Sequence, residues 1–308
     1  MTGPRTDFRC GFIVILGKPN VGKSTLVNTL LGQKIAPVSP RPQTTRRRQL
    51  GILTREGSQL VFVDTPGIHV PRHKLGQFFN QEAREALVGV DVVLFLVDGS
   101  MDPDEGDRLV AEQQLSLRRR TGQVLGLNKV DLVTPEALSR RRAAYQQLFQ
   151  DAAPVSFSAA RGDGLGELLD LLTSRLPLRE AEFPEDQLTD LYEREIAVEL
   201  IREAALIYLQ QEVPHALAVR LDEYSERPNG SAYLAVTLFV ERDSQKGIVI
   251  GEGGSMLKKI GSAARKEIEA MSGRKVFLEL RVKVARDWRN DEAALRRFGY
   301  RLVDRSGH

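Results

Sequence analysis

Residues Gly17, Lys18, Pro19, Asn20, Val21, Gly22, Lys23, Ser24 and Thr25 place glycines, a lysine and hydroxyls in the order G-x-x-x-x-G-K-S/T. In that order the glycines let backbone N–H groups converge on a β-phosphate, and a helix start adds positive potential. Lys23 is expected to reach the β- and γ-phosphates, and Ser24 to ligate Mg²⁺. A second constellation, Asp64, Thr65, Pro66 and Gly67, closes the apolar run "LVFV". The Asp64 carboxylate can hold Mg²⁺, and the Gly67 N–H can sense a γ-phosphate. The third, "NKVD" from Asn128 to Asp131, ends another apolar run. Asp131 can accept two hydrogen bonds from guanine N1–H and N2–H₂. Adenine offers neither donor and would leave the carboxylate unpaired, so this motif selects GTP over ATP. Lys129 supplies an aliphatic stem to lie over the base, and Asn128 can bridge back to the phosphate loop. Ser158, Ala159 and Ala160 end the last such run, and the Ala159 N–H is expected to face guanine O6.

These loops need strands behind them and helices after them. Apolar runs at 11–17, 58–67, 91–99, 122–131 and 153–160 alternate with helical spacing at 22–32, 75–90, 105–120, 135–149 and 164–176. Alternation on this scale predicts βαβ units and a mostly parallel sheet, with ligands beyond the carboxyl ends of its strands. Beyond it, 176–190 holds two prolines and several acids and reads as a semi-rigid linker. The pattern then predicts a helix over 192–214, a hairpin of strands 216–226 and 232–242, two helices around "GEGG", a strand over 275–285 and a helix over 287–300. The order α-β-β-α-α-β is that of a type II KH domain, whose G-x-x-G turn clamps a single-stranded nucleic-acid backbone. Gly251, Glu252, Gly253 and Gly254 fit that turn. Without a G-K-S/T or a preceding strand, this second glycine loop is not expected to bind a nucleoside triphosphate. Ile248 and Ile250 are candidates for the groove, Lys258 and Lys259 for phosphate contacts. The expected division is an α/β P-loop domain over 8–177, a linker over 178–189 and an α+β KH domain over 190–303.

Composition narrows the classes. A chain of 308 residues accommodates two domains. Cys10 is its only cysteine, which excludes an intramolecular disulfide and a cysteine zinc site. The longest apolar run, Val92–Val97, is strand length, and the first ten residues lack a hydrophobic signal core. A cytoplasmic location is therefore expected. The net charge is +3, but from Ser244 onward there are 15 Lys/Arg against 8 Asp/Glu, an electrostatic footprint for nucleic acid.

The ordered set "GKPNVGKST", "PQTTR", "DTPG", "NKVD" and "SAA", followed by "VIGEGGSMLKKIG" and "VKVARDWRNDEAALRRFGY", resembles the bacterial Era GTPase family from Gly11 to Tyr300. The resemblance implies a GTP-hydrolysing assembly factor of the small (30S) ribosomal subunit, monomeric, whose KH domain binds the single-stranded 3′ end of 16S rRNA. It implies a threonine completing the Mg²⁺ shell: Thr45 by the family pattern, Thr44 as the alternative. Lys23, Thr45 and Gly67 would serve catalysis, with Ser24, Thr45 and Asp64 as the metal set. It also implies GTP-controlled domain arrangement and weak peripheral association with the inner membrane. Where Ras-like GTPases carry a water-orienting glutamine, this chain has Ile68. GTPases with a hydrophobic residue there often pair it with a phosphate-loop asparagine that helps hold K⁺, here Asn20. Era loops often carry a basic or amide residue where this chain has Glu252, which is expected to point to solvent. The alternatives are another ribosome-associated GTPase of this hydrophobic-substituted group, against which the single KH domain argues, and a regulatory RNA-binding protein in which GTP acts only as a switch.

Overall fold

The structure, a computed structural model, describes residues 7–39, 41, 44–71, 73–117 and 120–300. Pro42 and Gln43 of the "PQTTR" motif, and residues 301–303 at the expected end of the second domain, lie outside the described residues. The chain forms two compact units. The first comprises residues 1–34, 45–70 and 79–190; the second comprises 35–44, 71–78 and 191–308.

The first unit is built on a six-stranded sheet in the order β2-β3-β1-β4-β5-β6. Its strands are β1 (Arg9–Leu16), β2 (Gln49–Arg55), β3 (Ser58–Asp64), β4 (Val92–Asp98), β5 (Gly122–Asn128) and β6 (Ala153–Ser156). All neighbours pair in parallel except β2 with β3. Every residue of β3 and β4 is buried, which explains why "VVLFLVD" does not alternate: helices cover both faces of the sheet. Around it run α1 (Lys23–Leu31), α2 (Lys74–Glu85, its first turn counted with the second unit), α3 (Glu105–Ala111), α4 (Pro135–Leu148) and α5 (Leu165–Arg175). The helix expected over 105–120 stops at Ala111 and tightens into a 3₁₀ turn over Glu112–Ser116.

Strand β2 has no counterpart among the expected elements. "QLGILTR" is diluted by polar residues, and only the tight turn at Glu56-Gly57, with Gly57 at φ +73°, brings it onto β3. Its outer edge is covered by the segment read as a linker. The Ile52 N–H donates to the Leu188 carbonyl at 2.8 Å and the Leu50 N–H to Asp190 Oδ1 at 2.9 Å. Further back, Cys10 N–H bonds Pro177 O, and Arg179 N–H bonds Phe8 O. Residues 177–190 are thus a strap along the sheet edge, and they occupy backbone groups of β2 that could otherwise recruit another strand.

The second unit has a three-stranded sheet, β7 (Ala218–Glu226), β8 (Ala232–Val240) and β9 (Val276–Val284), antiparallel then parallel. Helices α6 (Glu193–Tyr208), α7 (Asp243–Ile250) and α8 (Ser255–Ser272) cover it, and α9 (Glu292–Arg297) follows. Ile196, Leu200, Ile201, Val236, Leu238 and Ile260 are among the core residues, all at most 5% exposed. Two expected helices are shorter than their patterns. α6 ends at Tyr208 because Leu209 turns extended, and only 292–297 of the last pattern is helical. Trp288, just before α9, is fully buried and donates its indole N–H to the Ala216 carbonyl at 2.8 Å.

Candidate functional site

The phosphate loop joins β1 to α1. Val14, Ile15 and Leu16 are buried, which fixes the strand, and Gly22 caps the helix at φ +102°. A side chain at Gly22 would be strained, and its Cβ would lie 2.3 Å from Asn128 Nδ2. Lys23 is almost fully buried, and its ammonium donates to the carbonyls of Gly17 (3.0 Å) and Lys18 (3.1 Å). Burial draws its pKa down to about 8, against the opposing pull of the Asp64 carboxylate.

Asp64, at the end of β3, is fully buried. Its Oδ2 accepts from Ser24 Oγ (2.8 Å) and Thr45 Oγ1 (3.3 Å), and the two hydroxyls lie 2.8 Å apart. Its Oδ1 is buried without a hydrogen-bond partner. An orphaned buried carboxylate oxygen beside two hydroxyls is a donor set suited to a hard divalent cation. Burial pushes the Asp64 carboxyl up. Thr45, not Thr44, stands at this cluster; the Thr44 hydroxyl donates to the Arg41 carbonyl instead. Gly67 lies against Pro19, where a Cβ would come within 3.0 Å of that residue's backbone. Ile68 packs into the apolar core, with its N–H on Gly17 O, and its side chain has no polar atom for orienting water.

The "NKVD" loop is locked to the phosphate loop. Asn128 Nδ2 donates to Val21 O at 2.8 Å, and Lys129 Nζ donates to Asn20 O at 2.8 Å and Asp98 Oδ2 at 2.7 Å. Burial opposes ionisation of Asp98, but hydrogen bonds from Lys129 and Ser100 outweigh it and hold its carboxyl below the usual range. Lys129 itself sits at φ +64°, which lets the chain turn directly into the 3₁₀ turn carrying exposed Asp131. The Ala159 N–H, the donor expected to face guanine O6, donates to Asn128 Oδ1 at 2.8 Å. Its carbonyl accepts from Thr29 Oγ1 at 2.8 Å. Ala160 is exposed and carries the next backbone N–H, while Ser158 is buried and shapes the loop through bonds to Asp163, Arg161 and Gly162.

In the second unit, α7 ends at Gly251 (φ +73°), a 3₁₀ turn holds Glu252–Gly254, and α8 starts at Ser255. Beside the turn lies a cavity of about 450 Å³ lined by residues that include Gly254, Leu257, Lys258, Arg265, Leu278 and Leu280. Glu252 is exposed, as expected. Gly261 lets α8 approach β9; a Cβ there would lie 3.2 Å from Leu280 Cδ1. The cavity joins an apolar floor to two cations, a surface matched to stacked bases and phosphates.

A family model described as a 50S ribosome-binding GTPase matches residues 12–129, and a KH-domain model matches 212–289. A GTPase Era from a Nostoc species is 49% identical over 300 residues, 97% of this chain and 91% of the relative. The chain belongs to the Era family of GTPases. A GTPase Era from Geobacter metallireducens is 48% identical over 95% of this chain and 98% of its own length. A crystal structure of Era in complex with MgGDPNP and nucleotides 1506–1542 of 16S ribosomal RNA covers 96% of this chain, with all of its own length matched, at 36% identity and a TM-score of 0.90.

In this Era-family GTPase the sequence motifs converge at one site in the first unit. Lys23, Ser24, Thr45 and Asp64 meet, and Asn128 and Lys129 hold the loop they face. The candidates in the second unit divide. Gly254 and Lys258 line the cavity, whereas Ile248 is half exposed elsewhere on α7 and Ile250 is partly buried. Lys259 sets its ammonium 4.4 Å from the centre of the Tyr208 ring. Sequence reasoning missed Gly261, Ser262, Leu278 and Leu280 as lining residues. Residues 254, 257, 258, 261, 262 and 265 form one helical stripe, and 278 and 280 one strand face, so periodicity carried the signal.

Proposed function

We propose that this GTPase is an assembly factor of the small ribosomal subunit that grips the single-stranded 3′ end of 16S rRNA in the α8–β9 groove. The observation that carries the reading is the glycine turn opening onto the groove of Leu257, Leu278 and Leu280 flanked by Lys258 and Arg265. A solved Era complex that holds 16S rRNA and shares the whole fold supports it. GTP would occupy the phosphate loop, with Asp131 reading guanine and the Ala159 backbone N–H turned toward O6. Mg²⁺ fits Ser24, Thr45 and the orphaned Asp64 oxygen, where it would neutralise charge on the β- and γ-phosphates. Asn20, at φ +65° in the phosphate loop, is proposed to help hold K⁺, and the ion would supply charge that a glutamine-free site lacks.

GTP is proposed to set the arrangement of the two domains and so RNA access, with GDP releasing it. The protein is proposed to act as a monomer in the cytoplasm. No helix among the described residues is long and apolar enough to cross a membrane. Exposed Lys258 and Lys266 supply basic surface for weak peripheral contact with an anionic membrane.

The test is GTP turnover with and without the 16S 3′-end strand, in wild type and in Gly251→Asp/Gly254→Asp. The proposal expects RNA to stimulate the wild type several-fold and the double variant not at all, because added carboxylates repel the RNA backbone. Stimulation that survives the double substitution would remove the glycine turn from RNA binding.

A further inference from the structure

Lys18 lies inside the phosphate loop, yet its ammonium is committed to protein carboxylates. Nζ donates to Asp104 Oδ2 at 2.7 Å and to Asp107 Oδ2 at 2.8 Å. The Lys18 side chain is 14% exposed, that of Asp107 1% and that of Asp104 55%. The two aspartates are also the capping box of α3. Asp107 N–H donates to Asp104 Oδ1 and Asp104 N–H donates to Asp107 Oδ2, at 3.2 and 3.0 Å. The helix start therefore brings two acids together, and the phosphate loop supplies the cation they need. Burial alone would lower the Lys18 pKa; its hydrogen bonds to Asp104 and Asp107 reverse that, and the ammonium is held above its ordinary value.

The same residue touches the chemistry through its backbone. Its carbonyl accepts from Lys23 Nζ at 3.1 Å, beside the Gly17 carbonyl at 3.0 Å. Behind the clasp, the Tyr145 hydroxyl lies 3.4 Å from Asp107 Oδ2 and 3.3 Å from the Asp98 carbonyl. Asp98 in turn holds Lys129, which donates to Asn20 in the phosphate loop. The loop is thus tied on one side at Lys18 and on the other at Asn20 and Val21.

We propose that Lys18 is a positioning residue for GTP hydrolysis: clasped by Asp104 and Asp107, it fixes the backbone carbonyl that seats Lys23, and its side chain is not a phosphate ligand. A shift of the Lys23 seat displaces the charge that meets the β- and γ-phosphates, and a misplacement of about 1 Å is enough to cost catalysis.

The experiment compares wild type, Lys18→Met, Lys18→Arg, Asp107→Asn and Lys18→Met/Asp107→Asn in the full chain. It reads kcat and KM for GTP, Kd for GDP and IDP, and the thermal midpoint. Lys18→Met and Asp107→Asn are each expected to raise the GDP Kd by about tenfold, with the double variant no worse than either single one. Lys18→Arg is expected to recover to within about threefold of wild type, because it keeps the charge-assisted pairs. The GDP/IDP ratio is expected to stay within about twofold of wild type, since the inosine base differs only where Asp131 reads it. If Asp107→Asn leaves GDP binding unchanged or tighter while Lys18→Met weakens it, Lys18 is a direct phosphate ligand and the proposal fails. It fails equally if the substitutions add, if the GDP/IDP ratio collapses, or if only the thermal midpoint moves.

Discussion

At the scale of single residues, the nucleotide site is a set of polar groups kept dry by the strands behind them. Lys23 shows the consequence. Its pKa of about 8 in the free protein is a product of burial, while bound phosphates favour its ammonium form and raise it. Above pH 8 the complex therefore holds more protons than the free protein, so affinity must fall as pH rises. Between pH 7 and 8.5 the GDP affinity is expected to drop about fourfold, with proton uptake visible by calorimetry in buffers of different ionisation enthalpy. A flat profile would mean that the free lysine is already fully charged. The residue types of this site were legible because each motif names its own atoms: Lys23, Ser24, Asp64 and Asn128 stand where the spacing puts them. The choice of Thr45 over Thr44 rests on family pattern, and in the structure it is the Thr45 hydroxyl that meets Ser24 and Asp64. The engagement of the Ala159 N–H was not legible, because it depends on where the Asn128 side-chain oxygen points.

At the scale of elements, buried strands were read well because uninterrupted apolar runs of strand length have few other uses, as β4 illustrates. What escaped was structure held by long-range polar bonds. β2 exists through its hairpin with β3, and the strap at 177–190 exists through the bonds β1, β2 and β3 offer it. Gln59 is the clearest such device. Fully buried on β3, its Nε2 donates to Phe183 O (2.8 Å) and Thr54 Oγ1 (3.0 Å), while its Oε1 accepts from the N–H groups of Glu182 and Phe183 (2.8 and 3.0 Å). A leucine of similar volume leaves these strap groups unpaired. Gln59→Leu is expected to cost about 2–4 kcal/mol in urea denaturation, the sum of a few unmet backbone hydrogen bonds. A loss below about 0.5 kcal/mol would show the strap to be a loose tether, as a composition-based reading of its prolines and acids allows.

At the scale of the whole molecule, the order of a GTPase followed by a KH domain was legible from motif succession. The membership of 35–44 and 71–78 in the second unit was not, because nothing in their local composition marks it. That membership has a covalent consequence. Thr45 belongs to the first unit and stands at Ser24 and Asp64. Thr44, one peptide bond earlier, belongs to the second unit, where its carbonyl accepts from Arg202 of α6, a side chain almost fully buried. Arg41, in the same segment, donates to Leu209 O at 3.3 Å, just past the end of α6. A change in Thr45 between GTP and GDP would therefore fall within one residue of a bond that anchors α6, whose Ile196, Leu200 and Ile201 are core of the second unit. The proposed function requires RNA affinity to differ between a GTP analogue and GDP, by about tenfold if the coupling is typical. Arg202→Met, which keeps the buried stem and removes the guanidinium, is expected to shrink that difference to under about threefold while leaving GDP affinity within about twofold. Thr45→Ala, which leaves α6 intact, is expected to shrink it as well, with the RNA affinity of the GDP form unchanged. Equal gaps in wild type and both variants, read by RNA titration at fixed salt, would show that nucleotide state reaches the groove by another route.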